Sequence, residues 1–538
     1  MKKLNMTTNR NIPLIAIIIL FQVIAMLVVA NQKEEYHIDE IYSYIISNSY
    51  DSDRISNDDS LWGNWTDGEQ LNDFVSVQNG EAFAYQKAYK NTSTDCHPPM
   101  YYWALHTVSS FFPNQFNKWM GIGLNIFFFI ISIGMLYLCS VELIKNRWLQ
   151  FLPTIMYGFS SFAVGTCLFI RMYMLLTMLA LIFTYASIRL VKYGFHIKWC
   201  IISWAVLYLG AMTQYYFIIL GFWGVLFVCI HFLHRKQIKN AFIYGFGALA
   251  SIGLMLLSFP YAIEQATGSG TNNVGNEVVR NLFNVKLWII MTYSLIKQAV
   301  ANISYHYLVS YLIIVSVLLI FAALFVVKKL KKNNRITVDT SVLWCLSCLI
   351  LTMLSVSFIG GEYVYLRYVY FVIPLAYIVA IYLFSVLSED VILIQKLLAV
   401  VCIGFALMNI SLGIIKKMDS SLYLGQSEQT ETVCTYKDTP LVISMRKRST
   451  AIPTGNLTKI KNFDRIYMDT VENLKNGSVI PSCLSENGDC LIYIPTDTYW
   501  VEGYVPEELL TELLPNSEYY CTYIANGTLG KFYYISTK

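Results

Sequence analysis

Two adjacent carboxylates, Asp39 and Glu40, stand in the string YHIDEIYSYI just after the first long apolar stretch of the chain. A carboxylate in a partly dry pocket has a raised pKa and can take a proton from an attacking hydroxyl. The same pair can instead open a short helix, because acidic side chains suit a first turn. His97-Pro98-Pro99 precedes an aromatic stretch, and two prolines suit a helix start. His97 is of a type that binds a substrate hydroxyl, contacts a phosphate or joins His37 and Asp39 at a metal. No close-spaced ligand pattern supports a metal, so none is assigned and a divalent ion is left open. The plain alternative is an interfacial histidine held by hydrogen bonds.

Arg171 is the only charge in LFIRMYMLL. A charge in hydrocarbon is costly, so it belongs at an interface or beside a partner. Its fork binds two phosphate oxygens at once. A snorkelling arginine among lipid headgroups is the competing reading. Tyr173 starts the next apolar run and can support the same pocket. Arg367-Tyr368 follows Gly360-Gly361-Glu362-Tyr363. Arg367 is a second candidate for phosphate, with Glu362 to hold it in place. Gln214-Tyr215-Tyr216 suits sugar hydroxyls or ring stacking, and equally suits an aromatic belt at a membrane surface.

The elements that must position these residues are apolar. The chain has 538 residues, 56% hydrophobic and 14% charged. Soluble domains carry roughly 25% charged residues. A net charge of +4 is too small to argue for nucleic acid. Many apolar runs approach the roughly 20 residues needed to cross a bilayer as a helix. Spans are expected at 12–30, 117–140, 150–169, 172–191, 198–213, 214–233, 240–259, 303–327, 341–359, 366–387 and 391–415, about eleven crossings. The first is read as a retained helix, since Ala25 and Ala30 are too far apart for a cleavage site. Basic residues gather in every second loop: Lys145 and Arg147; Arg189, Lys192 and Lys198; Arg235, Lys236 and Lys239; and the run from Lys328 to Arg335. Ser388-Glu389-Asp390 is the exception. By the positive-inside rule those loops face the cytoplasm, which puts the candidate residues together on the outer face. HPPMYYWALHTVSSFFP is then a juxtamembrane helix rather than a span.

Residues 1–415 are expected to form a transmembrane domain. Within it, 31–116 is a first outer loop with juxtamembrane helices and 260–302 an outer loop with a Gly/Asn-rich stretch. The tail, 416–538, has short strand-like runs such as RIYMD, CLIYIP and KFYYIS and reads as a small extracytoplasmic α/β domain. Of 12 cysteines, Cys434, Cys483, Cys490 and Cys521 lie in this tail. Four cysteines allow three pairings, and Cys483–Cys490 with Cys434–Cys521 is the expected set. The N-x-S/T strings at Asn64, Asn91 and Asn526 matter only where such sites are glycosylated.

The order of these motifs resembles the bacterial branch of the protein O-mannosyltransferase-like family, membrane glycosyltransferases of the GT-C fold. The aminoarabinose transferase of lipid A belongs to the same wider group. The matching strings are DE after the first span, HPPMYYW, the block from NKWMGIGLN through FIRMYMLLTMLALIFTYASIRL, TQYYFIILGF and YLRYVYFVIPL. They fall within residues 10–415. The resemblance implies a sugar donor on a polyprenyl phosphate or diphosphate and an acceptor hydroxyl on a protein, glycolipid or cell-envelope glycan. It implies Asp39 as general base or orienting carboxylate, with Glu40 as its neighbour. It implies Arg171 and Arg367 at the departing phosphate; His97, Tyr173, Gln214, Tyr215, Glu362 and Tyr368 are expected around the substrates from their own chemistry and position. Where the family often reads Gln-Glu-Ala, this chain has Leu168-Phe169-Ile170, which leaves donor sugar and acceptor open. A transporter or flippase of lipid-linked glycans is the alternative. It would place charges or broken helices at the bilayer midplane, often in paired halves, and no inverted repeat is legible.

Overall fold

The computed structural model describes residues 2–51, 54–267, 284–304, 307–330, 337–359, 364–389, 391–416, 427–477, 479–497, 502–514 and 519–537. It divides into two compact units. The first comprises Met1–Ala30, Thr92–Tyr101 and Ile122–Met418. It is a helical membrane bundle. Among the described residues, 9 helices are long and apolar enough to cross a bilayer, or 10 with one bent pair counted as a span. Each expected span coincides with helix. The expected third span is the bent pair, Leu149–Gly158 and Ser161–Leu168, broken by 51°. Ser160 caps the second piece through its hydroxyl, 3.2 Å from the Ala163 N–H, and Asn409 Nδ2 donates to the freed Phe159 carbonyl at 3.3 Å. Polar side chains inserted at a break are a recognised cause of such kinks. The expected fifth span is shorter than thought: Ile197–Ala211 has 15 residues, capped at its start by the His196 ring, which accepts from the Lys198 N–H. At ~1.5 Å per residue it covers about 22 Å, less than the hydrocarbon core.

Tyr173–Tyr193 is the most enclosed span and Leu308–Val326 the least. Close approach at the bundle centre depends on Gly224, where a Cβ would lie 2.5 Å from Phe183 and 2.9 Å from Trp344. The Trp344 indole donates to the Gly224 carbonyl at 3.0 Å, so the one polar atom of that buried ring is satisfied. Val285–Ala301, within the stretch expected as an outer loop, is a helix that packs on Thr340–Ile359, with the Trp288 indole donating to the Leu354 carbonyl at 3.3 Å. The Gly/Asn-rich stretch beyond 267, Glu362 with its two preceding glycines, and the basic run at 331–336 lie outside the described residues.

The second unit comprises Asn31–Asn91, Tyr102–Gly121 and Asp419–Lys538. Its 6-stranded sheet has strands β1 (Trp65–Thr66), β2 (Leu441–Met445), β3 (Ile466–Thr470), β4 (Asp489–Pro495), β5 (Tyr519–Gly527) and β6 (Gly530–Thr537), in the order β1-β3-β2-β4-β6-β5. β2 is parallel to both β3 and β4, and the outer pairings are antiparallel. The central parallel strand is fully buried, as a strand covered on both faces must be. Helices Val471–Asn476, Val479–Asn487 and Pro506–Leu513 bury Leu474, Leu484 and Leu509 against Val442, Ile492 and Ile535. The expected disulfides are not formed. Cys483 and Cys490 pack as apolar side chains in that core, Cys434 gives its thiol to the Lys459 carbonyl, and Cys521 is exposed on β5. Small apolar volume explains the two buried thiols without a bond between them.

Candidate active site

Within the bundle, the Thr92–Tyr101 segment is held at three points. The Gln265 amide donates to the Thr92 carbonyl at 2.9 Å and accepts from the Tyr215 hydroxyl at 2.6 Å. The Met100 N–H donates to the Met212 carbonyl at 3.1 Å. The Tyr101 hydroxyl donates to Asn125 Oδ1 at 3.3 Å. Asn125, fully buried, then donates to the carbonyls of both Cys167 and Phe169, at 3.0 Å each. A helix end inside a bundle leaves carbonyls that need partners, and Asn125 supplies them. The turn it fixes carries Arg171, whose N–H donates to the Phe169 carbonyl at 2.7 Å, before the next helix starts at Tyr173.

Between those anchors sit Asp95, Cys96 and His97. His97 Nδ1 lies 3.1 Å from Asp95 Oδ2 and 3.1 Å from Cys96 Sγ. Burial works against the charge on Asp95. The His97 imidazole, its hydrogen bond, and then the Arg171 guanidinium and the Cys96 N–H outweigh burial and hold this carboxyl at about 2. Arg171 itself is 6% exposed, so a buried cation faces a carboxylate kept ionised. The three ligand-type atoms of Asp95, Cys96 and His97 lie within 4.8 Å of one another. An oxygen, a sulfur and a nitrogen so placed are a donor set that suits a borderline divalent ion.

Arg367 also approaches this turn. Its guanidinium carbon is 5.7 Å from the Phe169 ring centroid, 5.7 Å from Tyr368 and 4.6 Å from Tyr365. Tyr368 packs on Tyr216 at 5.2 Å, and Tyr173 stacks on Phe169 at 6.0 Å. Arg171, Arg367, Tyr173, Tyr368, Tyr215 and His97 therefore belong to one cluster in one unit. Gln214 is buried beside it, at 3% exposed.

Asp39 and Glu40 lie in the second unit, on the helix Ile38–Asn48. Their neighbourhoods differ. Glu40 is fully buried; its Oε2 accepts from Lys33 Nζ at 2.8 Å and from the His37 N–H at 2.7 Å. That is a capping box, and it fully occupies this carboxylate oxygen. Asp39 keeps a carboxylate that is 19% exposed, 3.7 Å from His37 Nδ1. His37 Nδ1 accepts from the Asp39 N–H at 3.0 Å. The helix packs on Ala451–Gly455, with Ile38 against Gly455. The segment before it is tied down by Glu35, which pairs with buried Lys459 at 2.5 Å and accepts from the Thr430 hydroxyl at 2.8 Å.

Four contributors were not read from the sequence. Asp95 had a usable signal in its Asp-x-His spacing, and Asn125 in being a lone amide within an apolar helix. Lys33 and Gln265 had none, because their partners are set by tertiary packing.

No protein-family model matches the chain, and no curated protein sequence matches it. Among solved structures, it is similar to ArnT from Cupriavidus metallidurans in the apo state (12% identity, TM-score 0.48, 98% of each chain). It is likewise similar to ArnT bound to undecaprenyl phosphate (10%, TM-score 0.47, 97% of this chain and 98% of that one). The archaeal oligosaccharyltransferase AglB from Archaeoglobus fulgidus, in complex with an inhibitory peptide and a dolichol-phosphate, matches at 10% identity and TM-score 0.42, over 88% of this chain and 68% of that one.

Proposed function

We propose that this chain is a membrane glycosyltransferase of the GT-C type that moves a sugar from a polyprenyl-phosphate-linked donor to an acceptor hydroxyl on the outer face of the membrane. The observation that carries this reading is that Arg367 lies over the Phe169 ring, in the turn that holds Arg171 beside Asp95 and His97. Two guanidiniums at the starts of apolar helices suit the phosphate of a lipid. The order of sequence motifs supports the same reading. The basic residues at the far ends of these helices favour the outer face.

In the proposed reaction the acceptor oxygen attacks the anomeric carbon, and the bond from that carbon to the phosphate oxygen breaks. Direct displacement inverts the centre. A phosphodiester donor becomes a phosphomonoester, so negative charge develops on the departing group, where Arg171 and Arg367 stabilise it more than in the ground state. Asp39 receives the hydroxyl proton, the role the resemblance implies. Tyr173, Tyr215, Tyr368, Gln214 and Glu362 are assigned to substrate contacts, and His97 to orienting Asp95 and the donor. Glu40 is assigned to holding the Asp39 helix.

The test is release of free polyprenyl phosphate by detergent-purified protein, offered a panel of polyprenyl-phosphate sugars. Release by wild type, abolished in folded Asp39→Asn and Arg171→Ala, supports the transferase. Movement of the donor across vesicles without release would overturn it in favour of a flippase.

A further inference from the structure

The helices that start at the cluster above end at a second polar cavity, about 860 Å³ in volume, that the proposed reaction does not use. Tyr173–Tyr193 links the two: it begins two residues after Arg171, and Lys192 at its far end lines the cavity. Its 21 residues span about 32 Å at ~1.5 Å each. Tyr216–His234 runs the same way and ends at Arg235, another lining residue.

The charges of this cavity divide into matched and unmatched. Glu142, 5% exposed, accepts from Arg189 at 2.5 Å and from the Tyr193 hydroxyl at 2.8 Å, with Lys192 Nζ 3.9 Å away. Lys145 pairs with Glu389 at 3.2 Å. Asp339 accepts from the Ser341 N–H at 2.8 Å and so caps its helix. Arg147 and Arg235 make no ion pair among the described residues. Apolar side chains, among them Val141 and Val191, share the lining with these charges. Two unmatched guanidiniums beside apolar walls, at the end of a membrane bundle, have the chemistry of a phosphate site for lipid headgroups.

We propose that this cavity binds the phosphate of an acidic phospholipid through Arg147 and Arg235. The full chain, purified in detergent, is incubated with phosphatidylglycerol or phosphatidylcholine of the same chain length, and retention is read by native mass spectrometry. Wild type retains phosphatidylglycerol at least ~10-fold better, a preference worth about 1.4 kcal/mol. Arg147→Gln/Arg235→Gln loses the preference with an unchanged melting temperature. Lys198→Gln, an exposed cation outside the cavity, keeps it. Displacement of the lipid by millimolar inorganic phosphate would keep the phosphate chemistry but overturn the lipid as its source. Equal retention of both lipids, a preference surviving in the double variant, or an equal loss in Lys198→Gln would overturn the proposal.

Discussion

Asp39 and Glu40 adjoin in the chain, and Glu40 is held by the buried cation of Lys33. Removing one partner of a buried pair leaves an uncompensated charge, at a cost of about 3–5 kcal/mol. Lys33→Met is therefore expected to lower the melting temperature sharply, because it removes the buried cation paired with Glu40. Asp39→Asn is expected to leave the melting temperature within a degree or two. It should cut sugar transfer by roughly 10²–10⁴-fold, the usual contribution of a general base. Arg171→Ala should cost about 10²–10³-fold in polyprenyl phosphate release, as loss of a charge-stabilising donor does. Asp95 supplies a pH test. Its folded carboxyl is held at about 2, below its ordinary 3.8, so its contribution to stability is fully present above about pH 4 and lost as pH falls through about 2. Melting curves of wild type and Asp95→Asn should differ at about pH 4 and converge as pH falls through about 2.

At the scale of elements, Asn125 joins two segments far apart in sequence. Asn125→Leu removes both donors to the Cys167 and Phe169 carbonyls. Buried groups left unsatisfied cost about 1–3 kcal/mol each. The variant should still insert, melt earlier and lose transfer, because the Arg171 turn is freed. Conservation of melting temperature with loss of transfer, or the reverse, would sever that link. Helices were the most legible part of the sequence, since an apolar run in a bilayer has no other way to satisfy its backbone. The short helix Ile197–Ala211 and the bend near Ser160 were not legible, because a cap and an inserted amide decide them rather than hydropathy. Of the site, Arg171, Arg367 and His97 were visible as polar residues in apolar surroundings. Asp95 was not singled out, and the occupation of Glu40 by Lys33 required the fold.

At the scale of the whole molecule, the second unit is assembled from two early segments, 31–91 and 102–121, and the tail. Strand β1 comes from residues 65–66 and pairs with β3 at 466–467. Removing 419–538 would strip Glu35 of Lys459 and the Asp39 helix of its Ala451–Gly455 support. Limited proteolysis should then cut within 31–48, where the full chain resists. The arrangement also sets a clock on the protein's birth. Glu35 leaves the ribosome early, while Lys459 follows roughly 20–85 s later at ~5–20 residues per second. Until then the acidic segment is without its buried partner and must be kept from proteases and from misfolding. A newly made chain would reach its working state only once residues 419–538 have been synthesised and folded, so the bundle can be inserted well before the molecule is competent.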